Sequence, residues 1–126
     1  MKSALLLIAT CVLLSACGKQ DEKTRARIAE VEKTSRPVTQ AVEDYAKKRK
    51  RYPAHIEEAY VRPTAMKDIK LLSVDQKSGQ VRVQLAFAPV EGKSLVFVPQ
   101  RNKDRSLTWR CTSQDIDPNL LPDTCK

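Results

Sequence analysis

Four cysteines, a single histidine and a run of five cations are the side chains in this 126-residue chain whose types and spacing could do chemistry. A thiol can bridge another thiol, bind a soft metal, carry a lipid, or attack a substrate when a base activates it. The lone histidine, His55, is far in sequence from Cys111 and Cys125, so neither a His–Cys metal set nor a Cys–His nucleophile is expected. Asp115 and Asp117 lie in the loop between those cysteines, where short carboxylates shape turns. Serine, histidine and aspartate form no readable triad, and three glycines are too few for a phosphate-cradling loop. The sequence predicts no enzyme, no metal and no cofactor. The cations Lys47, Lys48, Arg49, Lys50 and Arg51 remain, with Lys47, Lys48, Lys50 and Arg51 as candidate contacts for an anion or for DNA.

The N-terminus sets the compartment. Lys2 supplies a positive start, and Ala4 to Leu14 is an apolar run too short to span a bilayer as a helix. Ser15-Ala16 is a small-residue cleavage site of the kind that ends a secretory signal. Leu14-Ser15-Ala16-Cys17 resembles a bacterial lipobox at all four positions. That resemblance implies cleavage before Cys17 and acylation, with palmitate or a similar chain, of the new N-terminus. Gly18, rather than an aspartate, follows the cysteine, which by resemblance to lipoprotein sorting favours the outer membrane. Cys11 then leaves with the signal, residues 1–16, and Cys17 carries lipid. In an oxidising compartment the remaining pair, Cys111 and Cys125, is expected to form a disulfide.

Losing Lys2 takes the net charge from +8 to +7, a balance compatible with anionic partners. One domain is expected over residues 28–126, after a polar tether over 17–27. From Ile28, apolar or small residues recur through Val31, Ser35, Val38, Val42 and Tyr45 in steps of three and four, the stripe of an amphipathic helix. Pro37 predicts a kink, or a fresh start capped by Thr34 or Ser35. Tyr52-Pro53 ends that helix, which leaves the basic run on its last turn, where cations complement the helix dipole. Strands are predicted over Ile69–Val74, Gln80–Phe87, Lys93–Val98 and Ser106–Thr112. Trp109 shares a face with Leu107 and is expected in the core. The fold class is α+β, one amphipathic helix across a four-stranded antiparallel meander.

This layout resembles the head domain of type IV pilins. "AVEDYAKKRKRYP", Ala41 to Pro53, is similar to the pilin helix end that runs into an aromatic-proline pair. "LTWRC" is similar to the last pilin strand, and Leu120-Leu121-Pro122-Asp123-Thr124-Cys125-Lys126 is similar to the pilin ending. The resemblance covers Ile28 to Lys126 and implies that the loop from Cys111 to Cys125 is a displayed region, stapled to the sheet edge. Two departures stand out. Arg51 replaces the usual glycine before the aromatic-proline pair, and "GKQDEKTR" after Cys17 replaces the long apolar helix that forms the filament core. The chain reads as a non-enzymatic pilin-like lipoprotein, an interaction or cell-adhesion module linked to type IV pili. A DNA receptor in uptake and a periplasmic assembly factor are the rival readings.

Overall fold

The computed structural model describes residues 2–60 and 66–126, with the backbone alone for 2–17. The expected signal, residues 1–16, and the expected lipid-bearing Cys17 lie outside the residues described in full.

Helix α1 spans Lys2–Thr34 and helix α2 spans Arg36–Arg49. Their shared inner face carries Thr24, Ile28, Val31, Ser35, Val38 and Val42, each no more than 3% exposed. Alternating steps of four and three keep these six positions on one side of a helix. The segment expected as a polar tether is therefore helical from Gly18 onward, and its stripe begins at Thr24. Thr24 can sit there because its hydroxyl donates to the Gln20 carbonyl at 3.0 Å, so no polar atom is buried unpaired. Most of the rest of the segment faces solvent, which its charged side chains require.

Pro37 has no N–H to offer the preceding turn, and the break falls just before it, at Ser35. The Ser35 amide is shared between the carbonyls of Val31 and Glu32, at 3.0 and 3.3 Å, and its hydroxyl donates to Val31 at 2.7 Å. Ser35 occupies the cap position of α2 without a side-chain capping bond. The buried hydroxyl thus closes the kink backward onto α1 instead of forward onto α2.

Four strands follow: β1 Ile69–Val74, β2 Val81–Leu85, β3 Ser94–Arg101 and β4 Leu107–Thr112. They form an antiparallel sheet in the order β1-β2-β3-β4. Val81 faces Phe97 and Val83 faces Leu95, and these residues with Leu85 and Leu72 form the inner face beneath the helix stripe. A register shift between Ile69 and Leu71 inserts an extra residue in β1. That bulge lets Ile69 and Leu72, three apart, both point inward, and it leaves Leu71 53% exposed.

After α2 the chain passes through Tyr52 and the buried Pro53. The Tyr52 ring lies on Gly79 in the β1–β2 turn, where φ is +76°. A Cβ at position 79 would meet that ring at 2.5 Å. Both the backbone angle and the close approach require glycine. Gly79→Ala is expected to cost about 1–3 kcal/mol, read as a lowered denaturation midpoint at unchanged m-value.

Candidate functional site

Two surfaces gather the residues singled out by the sequence: the C-terminal loop and the basic end of α2. Cys111 ends the buried face of β4, and its sulfur is bonded to that of Cys125 with Cα atoms 4.5 Å apart. Both half-cystines are buried. Between them the chain is tied down along its length. Asp115 Oδ1 accepts from the Ser94 amide at 3.1 Å, and the Ser113 hydroxyl donates to the Ser94 carbonyl at 2.7 Å. Asp117 caps the short turn Pro118–Leu120 by accepting from the Asn119 amide at 2.9 Å. The two aspartates therefore shape turns, as their loop positions suggest. Ile116 and Leu121 insert into the core.

The loop is held by the helix as well as by the sheet. Arg25 donates twice to the Asn119 carbonyl, from Nε at 3.1 Å and Nη2 at 2.8 Å. Thr124 donates to Glu32 at 3.4 Å. Two residues beyond Arg25, Arg27 grips Asp68 through Nη2 and Nε, at 2.6 and 3.3 Å, and its guanidinium lies 4.0 Å from the centre of the Phe87 ring. The hydrogen bond to Asp68 is the main cause that raises the Arg27 pKa above its ordinary value. These contacts join α1 to the loop, to the corner before β1 and to the β2–β3 turn. Arg25, Arg27 and Asp68 went unread in the sequence because two of the three contacts link positions 94 and 41 residues apart.

At the other end of the helix, Lys47, Lys48, Lys50 and Arg51 are all exposed. Lys47 pairs with Glu43 at 3.4 Å, and Arg51 approaches Glu58 at 3.9 Å. Arg51 and Arg49 both stand over the Tyr45 ring, at 5.3 and 6.0 Å from its centre. Lys50 closes α2 in the left-handed conformation, with φ 60°, and donates its amide to the Ala46 carbonyl. Glyless helix ends of this kind carry a backbone cost that a glycine would avoid. Buried Glu43 had no sequence signal of its own, because its second partner is the Leu107 amide, 64 residues away, at 3.2 Å.

His55 is exposed, and its carbonyl accepts from the Glu58 amide. Trp109 is half-buried against the core, with its indole nitrogen buried and unpartnered among the described residues. The recess between α1 and the Lys67–Asp68 corner is lined by Arg27, Glu30 and Thr34 among others, with no histidine, serine or cysteine. Among the described residues no three His, Cys, Asp or Glu side chains gather as a metal set.

Opening the Cys111–Cys125 bridge by Cys125→Ser is expected to cost about 3 kcal/mol, the loop-closure value for some 15 residues. Hydrogen exchange should then rise first at Ile116 to Leu121, with the Arg25 and Glu32 contacts left to hold the loop to α1. A pH effect follows from Asp75 and Asp104, whose carboxyls lie below the ordinary range. For Asp75 the main cause is the Lys77 amide, and for Asp104 the Ser106 hydroxyl. Depressed values mean that their contribution is complete above about pH 3.9 and is lost as the pH falls through the folded value. Asp75→Asn with Asp104→Asn should therefore reduce the steepness of acid unfolding below that pH, followed by circular dichroism.

A family model described as pilin, a bacterial filament protein, matches residues 24–126. Among curated proteins none matches the chain.

Proposed function

The chain belongs to the pilin family, and from that premise we propose that it is a non-enzymatic, pilus-associated envelope protein, anchored by lipid on Cys17 and displaying its head for adhesion or partner contact. The observation that carries this reading is the boundary at Thr24, where the family match begins. Upstream of it lies the polar stretch Gly18 to Lys23, and before that the tetrad Leu14-Ser15-Ala16-Cys17. A filament subunit needs a long apolar helix at this place. Among the described residues no helix is long and apolar enough to cross a membrane. Acyl chains on Cys17 would supply an anchor, at about 0.8 kcal/mol for each buried methylene. Gly18 after the cysteine favours the outer membrane. The head supports a display role, since its C-terminal loop is fixed at both ends and along its length instead of closing over a reaction cleft.

Mass spectrometry of the mature protein is expected to find Cys17 as the N-terminal residue, carrying acyl groups. Cys17→Ser should move the protein from the membrane fraction to the soluble fraction without unfolding the head. An unmodified N-terminus in wild-type protein from the soluble periplasm would overturn the anchor.

A further inference from the structure

The basic end of α2 does not stand alone. Glu43 Oε1 holds the Lys47 ammonium at 3.4 Å and accepts from the Leu107 amide at 3.2 Å. One buried carboxylate thereby clamps the start of β4 to the last turns of α2. The β3–β4 turn, which ends at Leu107, is brought to the same pole. Lys47 lies close enough to that turn to help lower the Asp104 carboxyl, after the two bonds from Ser106.

The turn is a fixed platform. The Asn102 amide donates to the Ser106 carbonyl at 2.9 Å, and the Arg105 amide to Asn102 at 3.1 Å. Asp104 accepts from the Ser106 amide and hydroxyl at 3.0 and 2.6 Å, and the Asn102 side chain bonds Ser106 and Thr108. Its flanking cations point into solvent. Lys48, Arg49 and Lys50 end the helix and Arg101, Lys103 and Arg105 flank the turn, six exposed cations on the two elements that Glu43 ties together. None of the six forms an ion pair among the described residues. Four acids close to the cations have partners of their own: Glu43 as above, Asp44 with the Gln40 side-chain amide, Glu58 with Arg51 and the Ala54 amide, and Asp104 within its turn.

We propose that this pole, joined from two runs far apart in sequence, binds a linear phosphate polyanion without reading its sequence. Unneutralised cations held on two rigid elements suit a row of phosphates. A folded protein partner would need an apolar anchor at the centre of the contact. The large exposed hydrophobic side chain among the described residues is Leu71, on edge strand β1, away from the pole. The membrane that holds the anchor is out of reach when the helices stand away from it, a point that rests on lipidation at Cys17. Residue 49 is about 45–50 Å along the helices from residue 17 at 1.5 Å per residue.

The test uses the full-length exported protein in non-ionic detergent, titrated with two labelled DNA duplexes of unrelated sequence. Long-chain polyphosphate and polyglutamate serve as competitors. Equal affinity for both duplexes is expected, with competition by polyphosphate. Log affinity should fall with log salt at a slope of about −3.5 to −5.5, for four to six phosphates. Two triple variants, K48Q/R49Q/K50Q and R101Q/K103Q/R105Q, should each weaken binding at least tenfold and flatten the slope by about 2–3. Both should keep the wild-type melting temperature. No binding at low salt would overturn the proposal. So would loss in the helix variant alone, which would mean that the turn is no part of the surface. Competition by polyglutamate as effective as by polyphosphate would also overturn it, in favour of an acidic protein. Because binding is read in detergent solution, its failure would leave the anchor at Cys17 standing, and loss of the anchor would leave the binding result standing.

Discussion

The stripe from Thr24 to Val42 lying across the inner face of the sheet is the contact on which the rest of the molecule depends. Ile28, Val31, Val38 and Val42 are almost completely removed from water against Val81, Val83, Leu85, Leu95 and Phe97. Each such aliphatic side chain contributes about 1.5–3 kcal/mol on burial, so this one seam supplies much of what holds helix to sheet. Hydrophobic contact alone is non-directional and would tolerate sliding. Polar contacts at the two ends fix the position. Arg25 and Arg27 hold one end, and Glu43 holds the other. The kink at Ser35 sits between them and stays buried because its hydroxyl is satisfied within the helix.

With the helix fixed, the two sheet edges meet different fates. An edge strand exposes unpaired backbone groups that can recruit other chains. On β4 the edge is covered by its own continuation: the disulfide, Ile116 and Leu121 fold the last residues back over the core, and Glu43 takes the Leu107 amide. On β1 the strand is short and bulged, with exposed Lys70 and Leu71 at the irregularity. The same fixed helix separates two poles. At one pole Arg27 is paired with Asp68 and Arg25 is tied to a backbone carbonyl, while the α2 end gathers cations around acids that are already engaged. This asymmetry gives the head a direction, and family membership gives that direction a setting, the cell envelope.

Much of the architecture was legible along the chain. Strand β2 alternates Val81, Val83 and Leu85 with Arg82 and Gln84, and period two has no other physical reading over that length. The helix stripe, the break near Pro37 and the pairing of the two cysteines of the head were readable for similar reasons: each is a local pattern, or has a single solution. The early start of the helix was not, because a threonine occupies the stripe position at 24, and only the Gln20 carbonyl makes its burial tolerable. The candidate surface was half legible. Its helical cations are a visible run, but two of them, Lys47 and Arg51, turn out to have acidic partners.

By itself the sequence determined the elements, their order, the one possible disulfide of the head and the charge the head must carry, since periodicity, composition and cysteine number are properties of the chain alone. Tertiary structure decided which distant groups meet: Arg25 with Asn119, Arg27 with Asp68 and Phe87, Tyr52 with Gly79, Glu43 with Leu107. The physical reason is that hydrogen bonds and ion pairs act over a few ångströms, and no periodicity in the chain records which turn will be brought within that distance.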